Sequence, residues 1–300
     1  MPETAAPARP PSPDSPISPR PLRRVQIMSL EGLPGCGKST QMRQLKEHFK
    51  DDPRVAFVDE PVEDWERFGF LKAMYEGDLN KATFQLMALT SIMAPLQQAL
   101  CSEAELIITE RSPWSQYLVF ARGNLAGLEL DAYAYAFSLV QNTLEKLVAI
   151  SARFVYLQCD VDRAMERLQT RAREAEAGVP VSYMDMLNTK HEAMMKLAQK
   201  NAIAGQCHHA CSPVKAHPRL WSDAIVVDGT LDRFTVQGVL VDLATKMLAG
   251  MQPPGKLVTP LVPMLDGMKD PGPVKPLGYR NLHAFGDEER DDPHYLGATA

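Results

Sequence analysis

Three features are scarce or missing in this 300-residue sequence, and each absence excludes a class of protein. No apolar run approaches the roughly 18 residues that a membrane-spanning helix requires. The five cysteines are odd in number and irregularly spaced, which argues against a disulfide framework and favours reduced thiols inside a cell. Basic residues are outnumbered, 32 Lys and Arg against 37 Asp and Glu, and a net charge of −5 is not typical of a nucleic-acid-binding scaffold. The composition therefore favours chemistry on small molecules, with neither a membrane nor a nucleic acid as partner.

The N-terminal residues also lack the apolar segment of a secretory signal, and we expect a cytoplasmic protein. Import into mitochondria is the alternative, because the arginines within residues 9–24 resemble the basic residues of a transit peptide. Glu3, Asp14 and the density of prolines count against the amphipathic helix that such a peptide forms.

The two ends of the chain differ in composition from the middle. Residues 1–24 are dense in proline and poor in large apolar side chains, and residues 251–300 are rich in proline, glycine and charge. Neither segment can bury enough apolar surface to offset the entropy of folding. We expect residues 1–24 to be disordered, residues 251–300 to be mostly disordered, and residues 25–250 to form one globular domain.

Apolar and β-branched runs alternate with segments of helical spacing along residues 25–250. The runs predict five short strands, at residues 25–30, 55–59, 106–109, 154–158 and 225–228. The helical spacing predicts helices at residues 38–49, 62–75, 82–100, 113–121, 131–150, 161–173, 183–204 and 232–248. Strands that alternate with helices form a parallel sheet covered on both faces, and the sequence therefore predicts an α/β fold.

A glycine-rich motif lies between the first predicted strand and the first predicted helix. Residues 32–39 read Gly-Leu-Pro-Gly-Cys-Gly-Lys-Ser, which is the spacing of a phosphate-binding loop. Glycines let consecutive backbone N–H groups point at phosphate oxygens, Lys38 reaches the β- and γ-phosphates, and Ser39 offers a hydroxyl to Mg²⁺. The start of the helix adds its positive dipole end. Because every fixed position of the motif is filled, the sequence predicts nucleotide binding rather than a chance glycine-rich turn.

Charged residues follow the other predicted strands. Ligands of parallel α/β sheets bind at the carboxyl ends of the strands, so these residues are the next candidates for the site. The second strand is followed by residues 59–65, Asp-Glu-Pro-Val-Glu-Asp-Trp, and the third by residues 110–112, Glu-Arg-Ser. The fourth leads into an arginine-bearing helix and the fifth into residues 228–232. Charges in these places suit phosphoryl transfer.

Together these motifs resemble those of the deoxyribonucleoside kinases, a family that includes deoxycytidine, deoxyguanosine and mitochondrial thymidine kinases. Over roughly residues 25–250, five motifs occur in the family's order and approximate spacing: residues 31–40, residues 60–65, Phe84-Gln85, residues 110–112, and Arg171-Ala172-Arg173 with Glu176. The resemblance implies a P-loop kinase fold, with a five-stranded parallel sheet flanked by helices and a helical, arginine-bearing lid. It also implies transfer of a phosphoryl group from ATP, with Mg²⁺, to the 5′-hydroxyl of a deoxyribonucleoside. Finally, it implies a homodimer formed through the helices at residues 82–100 and 131–150.

The resemblance assigns the chemical step to residues at the strand ends. Glu60 would accept the proton of the 5′-hydroxyl as general base, and Lys38 would hold the donor phosphates. Arg111 would hold the 5′-oxygen region and steady Glu60, while Glu110 would position Mg²⁺ through water beside Ser39. From position alone, Glu60 is equally an acid that stabilises a helix N-terminus, and Glu110 with Arg111 is a structural pair at the start of the next helix.

The donor site implied by the resemblance combines the phosphate loop with the lid. The loop residues expected to bind ATP are Gly32, Leu33, Pro34, Gly35, Cys36, Gly37, Lys38, Ser39 and Thr40. In the lid, Arg171 and Arg173 would close on the donor phosphates and neutralise charge in the transition state. A further arginine that is common in the family's lid is Gln169 here, which leaves fewer cations for the donor.

The resemblance also implies a site for the base of the acceptor. Trp65, Phe84 and Phe120 would sandwich the base, and Gln85 would read its edge. Each aromatic residue taken alone is more often part of a core. Gln85 is the stronger indication, because a buried amide in an apolar helix needs hydrogen-bond partners that a base would supply.

Four other positions bear on the sugar and on the choice of base. Tyr75 and Glu176 would bind a 3′-hydroxyl and leave no polar partner for a 2′-hydroxyl, which implies deoxyribose. Relatives specific for deoxycytidine and purines carry an arginine–aspartate pair beside the C5 position of a pyrimidine, where this sequence has Ile92 and Gln116. A thymine methyl buried against Ile92 would gain about 0.8 kcal/mol. We therefore expect a pyrimidine deoxynucleoside kinase that accepts thymidine well and deoxycytidine to some extent.

Two other functions stay open at this point. A kinase of nucleoside monophosphates resembling thymidylate kinase has a similar phosphate loop, but it needs an Asp-Arg-Tyr-like string after the third strand and a basic clamp for the acceptor phosphate. A non-catalytic nucleotide-binding module would not explain Gln85 with three flanking aromatic residues.

A cysteine- and histidine-rich segment precedes the last predicted strand. Cys207, His208, His209 and Cys211 suggest a zinc site, but their spacing matches no common zinc finger. A surface loop is the better interpretation.

Overall fold

Five parallel strands form the sheet of this protein: β1 (Arg24–Glu31), β2 (Val55–Val58), β3 (Leu106–Glu110), β4 (Ala149–Gln158) and β5 (Leu220–Asp228). The structure is a computed structural model that describes residues 23–176, 178–204 and 220–250. The order across the sheet is β2-β3-β1-β4-β5, with β1 at the centre. All five predicted strands are confirmed, and β4 and β5 begin earlier than the apolar pattern indicated.

Helices connect the strands and cover the sheet. Their bounds are α1 Lys38–His48, α2 Val62–Arg67, α3 Phe70–Glu76, α4 Lys81–Cys101, α5 Pro113–Ser115, α6 Arg122–Asn124, α7 Gly127–Leu147, α8 Val161–Arg171, α9 Val181–Ala204 and α10 Arg233–Leu248. A π-helical turn at Gln116–Ala121 joins α5 to α6, and a short 3₁₀ turn at Glu174–Glu176 follows α8. No helix in the described part of the chain is long and apolar enough to cross a membrane.

Three helix predictions were wrong in detail. The helix expected at residues 62–75 is two helices, because Gly69 has a φ of 73° and starts α3 in a new direction. The helix expected at residues 131–150 ends at residue 147, since Val148 is extended and β4 begins at residue 149. The segment at residues 113–121 becomes a π-helical turn after one α-helical turn. π-Helical turns are rare overall but are often found at functional sites, and this one lies beside the cavity described below.

Strands covered on both faces are apolar throughout, and the central strands of this sheet follow that rule. Ile27, Met28 and Leu30 of β1 are at most 1 % exposed. The register pairs Leu30 with Glu110 on β3 and Glu31 with Tyr156 on β4, so the carboxyl ends of the three strands lie level. The charged residues that follow these strands are therefore brought to one edge of the sheet.

The phosphate loop at the end of β1 requires glycine at two positions in particular. Gly32 has a φ of 141°, and a Cβ there would lie 2.7 Å from the Leu157 carbonyl oxygen. Gly35 has a φ of 81°, and a Cβ there would lie 2.5 Å from the Ala164 carbonyl oxygen. Both backbones are unfavourable for other residues and both sites have no room for a side chain. The loop is thus held against β4 and α8 by close backbone contacts.

Several sequence-based expectations concern residues outside the described ranges. One is the disorder expected of residues 1–24 and 251–300, of which residues 1–22 and 251–300 are outside the described ranges. For Arg24 the expectation was wrong, because this residue begins β1. The segment containing Cys207 and Cys211 is another.

Candidate active site

A cavity of about 820 Å³ lies at the carboxyl ends of the strands and collects most of the predicted site residues. Residues 34–40 of the phosphate loop line it, as do Arg171 and Arg173. The remaining predicted residues at its wall are Glu60, Trp65, Tyr75, Phe84, Gln85, Glu110, Arg111, Gln116, Phe120 and Glu176. Gly32 and Leu33 are not at the wall, and Leu33 is 1 % exposed. One cavity therefore unites the expected donor and acceptor groups.

The phosphate loop holds the ammonium group of Lys38. Lys38 Nζ donates hydrogen bonds to the carbonyl oxygens of Leu33 at 2.9 Å and Gly32 at 3.2 Å. Gly37, with a φ of 104°, caps the N-terminus of α1, whose first N–H groups have no intrahelical partner. A cation and a helix N-terminus side by side form an anion site.

Arg167 on α8 connects this loop to the segment after β5. Its Nη1 lies 3.4 Å from the carbonyl oxygens of Cys36 and Gly229 and also lines the cavity. Its four-residue spacing from Arg171 on α8 places both on one helix face. No role was predicted for Arg167 from the sequence, although its four-residue spacing from Arg171 indicates that both arginines face the same side of the helix.

Ser39 and Glu110 form the candidate magnesium site. Ser39 Oγ donates to Glu110 Oε1 at 2.8 Å, so a hydroxyl and a carboxylate stand side by side at the start of α1. Among the described residues, no group of three or more His, Cys, Asp or Glu side chains could hold a metal by itself. In kinases Mg²⁺ is bound by one or two protein oxygens together with substrate phosphates and water. The residues present fit this ion.

Arg111 is the most constrained side chain of the site. Its backbone has a φ of 63°, which is uncommon for a residue other than glycine. Its Nε lies 2.8 Å from Glu60 Oε1 in an ion pair, without the alignment of a good hydrogen bond. Nη1 donates to the Gly32 carbonyl oxygen at 3.1 Å, and the guanidinium carbon lies 4.5 Å from the centre of the Phe120 ring. Arg111 thus joins the end of β3 to the phosphate loop and to Glu60.

Several charged side chains interact around the buried Arg111 and Glu110. Burial acts to lower the pKa of Arg111, but the carboxylates of Glu60, Glu31 and Glu110 outweigh it and raise this pKa. Burial raises the pKa of Glu110, with Lys38 opposing and Glu60 reinforcing the shift. A divalent cation beside Glu110 would favour its ionised form.

Glu31 is a buried carboxyl group for which no role was predicted from the sequence. One of its oxygens accepts hydrogen bonds from Ser29 Oγ and Ser112 Oγ, both at 2.7 Å. Burial raises its pKa, against the effect of these hydrogen bonds and of Arg111. Because Ser112 follows Arg111 in the chain, Glu31 ties the start of the phosphate loop to the segment that carries Arg111.

The end of the cavity where the acceptor base is expected is aromatic. Trp65 and Phe84 meet edge to face with ring centres 5.6 Å apart, and Trp65 donates to Ser91 Oγ at 3.1 Å. Gln85, next to Phe84, is 2 % exposed, and its amide oxygen has no hydrogen-bond partner. An unsatisfied buried oxygen is costly in a folded protein, so its presence here indicates a site that a ligand completes.

Tyr75 and Tyr183 lie together at the same end of the cavity. Their rings meet at 89° with centres 6.3 Å apart, and Tyr183 is hydrogen-bonded to Asn124 Nδ2 at 3.1 Å. Burial raises the pKa of both phenols, so they are neutral hydroxyl groups. Tyr183 was not predicted, because one tyrosine near the start of a long helix carries no sequence signal.

The residues expected to form the lid are paired with one another and with α2. Arg171 forms an ion pair with Glu176, and Arg173 Nη1 lies 3.7 Å from the other oxygen of the same carboxylate. Arg173 Nε lies 3.4 Å from Glu66 Oε1 on α2. Glu66 was not predicted to take part in the site.

Ile92 is placed differently from the prediction. It is 2 % exposed and belongs to an apolar cluster with Trp65, Phe84 and Leu71, and it is not among the residues that line the cavity. Ile92 packs into this cluster, and this removes it from the cavity wall. Gln116 does line the cavity and is 3 % exposed.

The fold and the site define a P-loop phosphotransferase. A phosphate loop with its lysine, a carboxylate–arginine pair and a Ser–Glu pair of oxygens line one cavity. The sequence profile of the deoxynucleoside kinase family matches residues 28–215, which is more than half of the chain. The protein therefore belongs to the deoxynucleoside kinase family.

Individual relatives agree with this assignment. The chain is similar to a thymidine kinase of Ictalurid herpesvirus 1, with 30% identity over 182 residues that cover 58% of this chain and 75% of the relative. It is similar to deoxycytidine kinase 2 of Gallus gallus, with 30% identity over 202 residues and the same two coverages. Its fold matches a deoxyadenosine kinase from M. mycoides with a TM-score of 0.53 and 21% identity, covering 73% of this chain and 99% of the other. The kinase activity predicted from sequence is thus confirmed, while the names of the relatives differ in the base.

Proposed function

We propose that the protein transfers the γ-phosphoryl group of ATP, with Mg²⁺, to the 5′-hydroxyl of a deoxyribonucleoside. The observation that carries the proposal is the ion pair of Glu60 and Arg111 at 2.8 Å, on the cavity wall that faces the phosphate loop. An acceptor hydroxyl placed there meets a carboxylate that can take its proton and a guanidinium that can hold its oxygen.

The transfer follows from these positions. The 5′-oxygen attacks the γ-phosphorus as its proton passes to Glu60, and the bond between the γ-phosphorus and the bridging oxygen breaks to release ADP. Lys38 and the N–H groups of the phosphate loop hold the donor phosphates, and Arg111 keeps Glu60 directed at the acceptor. Ser39 and Glu110 would hold Mg²⁺, which would supply charge neutralisation at the donor phosphates.

Arg171 is the lid arginine that we assign to the donor. It is the last residue of α8, it lines the cavity, and it shares a helix face with Arg167, which already touches the phosphate loop. Donor phosphates would replace Glu176 as its partner and so draw the lid over the reacting groups.

Gln85 is the proposed reader of the acceptor base. A glutamine amide offers a donor and an acceptor side by side, and rotation by half a turn exchanges them. Gln85 therefore suits the edges of pyrimidines and purines alike and does not separate them. Trp65, Phe84 and Phe120 supply the flat apolar walls, and Tyr75 with Glu176 supplies partners for the 3′-hydroxyl.

We propose a preference for pyrimidines, with thymidine and deoxycytidine both accepted. Two similar chains are named as kinases of these two nucleosides. Gln116 brings no charge to the wall, and the apolar surface beside Phe84 comes from Leu71 and Met74 rather than from Ile92. A thymine methyl would pack against those side chains. Competition between thymidine, deoxycytidine and deoxyguanosine measures this, and a higher kcat/KM for the purine would contradict it.

A homodimer through α4 and α7 completes the proposal. On α7, Leu128, Tyr135 and Leu139 are exposed by 84%, 58% and 51%, and their spacing places them on one helix face. Leu86 on α4, which packs against α7, is also exposed. Light scattering should give the mass of a dimer, and Leu139→Glu should reduce it to that of a monomer.

One assay separates the proposed function from its alternatives. The protein is incubated with Mg·ATP and each of the deoxynucleosides, their monophosphates and the ribonucleosides, and product formation is measured. We expect deoxynucleosides to be phosphorylated and the others to react much more slowly. Preferential phosphorylation of monophosphates would identify a nucleotide kinase instead.

A further inference from the structure

Arg173 is held between two carboxylates that come from different parts of the chain. Glu176 belongs to the lid, and Glu66 belongs to α2, directly after Trp65. The nearest N···O distances are 3.7 Å and 3.4 Å. Arg171, in contrast, is paired with Glu176 alone among the described ion pairs. The two lid arginines, adjacent but for Ala172, therefore stand in different surroundings.

Glu66, Arg173 and Glu176 form a chain of charges whose members differ in how exposed they are. The Glu176 side chain is 10% exposed, whereas those of Arg173 and Glu66 are 26% and 29% exposed. Burial is the main cause of the raised pKa of the Tyr75 phenol, and nearby Tyr183 and Glu176 raise this pKa further. A largely buried carboxylate needs partners on its free lone pairs, and its orientation depends on them.

We propose that Glu66 is a positioning residue which, through Arg173, fixes the Glu176 carboxylate for the 3′-hydroxyl of the acceptor. The inference rests on the proposed function, because it takes a deoxynucleoside as the molecule that Glu176 binds. It places Arg173 on the acceptor side of the lid and leaves Arg171 on the donor side.

The planar fork of an arginine can hold two carboxylates at once, with Nε toward one and Nη1 toward the other. Here Nε faces Glu66 and Nη1 faces Glu176, so a movement of α2 or of the lid changes both contacts together. The base walls and the 3′-hydroxyl partner are thereby connected, since Trp65 and Glu66 are consecutive on α2. Filling the base site would orient Glu176 through this link.

The test compares Glu66→Gln with Glu76→Gln as a matched control. Glu76 lies on the neighbouring helix α3, is 54% exposed and forms a 4.0 Å ion pair with Lys72. We expect Glu66→Gln to raise the KM for the deoxynucleoside about threefold, in line with a partly exposed ion pair, and to leave the KM for ATP unchanged. Glu76→Gln should change neither constant.

A second readout separates positioning from a general loss of structure. With a 2′,3′-dideoxynucleoside as acceptor there is no 3′-hydroxyl, so wild type and Glu66→Gln should have equal kcat/KM. Arg173→Gln should behave like Glu66→Gln with a larger effect, on the order of tenfold, because Glu176 then loses a partner of its own. The double variant should be no worse than Arg173→Gln, since both changes break one chain of contacts.

Each result decides the matter. A raised KM for ATP in Glu66→Gln with an unchanged KM for the acceptor would place Arg173 on the donor side and overturn the inference. An equal loss with the deoxynucleoside and the dideoxynucleoside, or no change at all, would also overturn it. If wild type phosphorylates no deoxynucleoside, the proposed function itself fails, which is a different outcome from an active enzyme whose KM values do not move.

Discussion

The donor and acceptor sides of the cavity are built in different ways. The proposed donor side rests mainly on one contiguous segment, residues 32–40, whose glycines take conformations that other residues avoid. Arg167 and Arg171 of α8 add to it at the cavity wall. The acceptor side takes single side chains from α2, α3, α4, the π-helical turn and the lid. Backbone N–H groups need only the right spacing of glycines, whereas side chains from five elements need those elements to pack correctly. Local sequence therefore specifies the donor side, and tertiary packing specifies the acceptor side.

The largest predicted effect concerns the point at which the two sides meet. Glu60→Gln removes the proton acceptor and keeps the shape of the side chain, so kcat should fall by roughly 100-fold or more while deoxynucleoside binding persists. The control is Asp59→Asn, which removes an exposed carboxylate paired with Lys46 and should leave kcat within about twofold. Near-normal turnover of Glu60→Gln would remove Glu60 from the mechanism.

A change on the donor side tests its dependence on backbone shape. In Gly35→Ala, the new Cβ would lie 2.5 Å from the Ala164 carbonyl oxygen at a φ of 81°, so the loop must shift. The KM for ATP should rise by about tenfold, and unfolding should become easier by about 1 to 3 kcal/mol. Gly238→Ala is the control, because α10 has space around that residue and alanine should stabilise the helix by up to about 1 kcal/mol. Unchanged ATP kinetics in Gly35→Ala would show that the loop is not held as described.

A change on the acceptor side should separate stability from function. Gln85→Leu removes a buried amide oxygen that has no partner, so the free protein should unfold at an equal or higher denaturant concentration. The same change removes the reader of the base, and the KM for the deoxynucleoside should rise by about tenfold with no change for ATP. Chemical denaturation and steady-state kinetics measure the two effects. A loss of stability without a change in acceptor KM would make Gln85 a structural residue.

The same difference explains how much could be predicted from the sequence. The strands were identified from their apolar runs, because strands that are covered on both faces are apolar throughout and do not alternate with polar residues. Lys38 and Ser39 were identified from a motif, and both lie at the cavity wall. Glu60 and Arg111 were located by their places at strand ends, and their pairing was not derivable without the resemblance.

Some positions depend on backbone conformation and tertiary packing and could not be predicted from the sequence. Gly69 divides α2 from α3 by its positive φ, which the helical spacing of residues 62–75 concealed. Ile92 lies one heptad after Gln85, but it packs into an apolar cluster with Trp65 and Phe84 and does not line the cavity. Glu66 and Tyr183 carry no motif, and only the folded chain shows what they contact. All four belong to the acceptor side or to its support.

The dependence of stability on pH should show what the burial of the Glu31 carboxyl group costs. Burial raises the pKa of Glu31 above its usual 4.5, so the native state holds a proton that the unfolded state has lost. Stability should therefore fall as pH rises above about 4.5, by at most about 1.4 kcal/mol per pH unit from this group. Glu31→Gln removes this contribution, and urea denaturation from about pH 5 to about pH 8 should show a smaller loss for the variant. An equal loss in both proteins would show that Glu31 is ionised at little cost.

The smallest effect is expected from the ends of the chain, which should matter to neither side of the cavity. The proline-rich and charge-rich compositions of residues 1–24 and 251–300 cannot contribute much buried apolar surface. The truncation at the N-terminus should stop at residue 22, because Arg23 donates to the carbonyl oxygens of Leu100 and Ala104 and Arg24 starts β1. We expect removal of residues 1–22 and 251–300 to keep one cooperative unfolding transition and to leave both KM values within about twofold. Deletion to residue 24 is the informative comparison, since it removes those two hydrogen bonds and should lower stability measurably. Loss of cooperative unfolding in the shorter truncation would show that the ends are part of the folded domain.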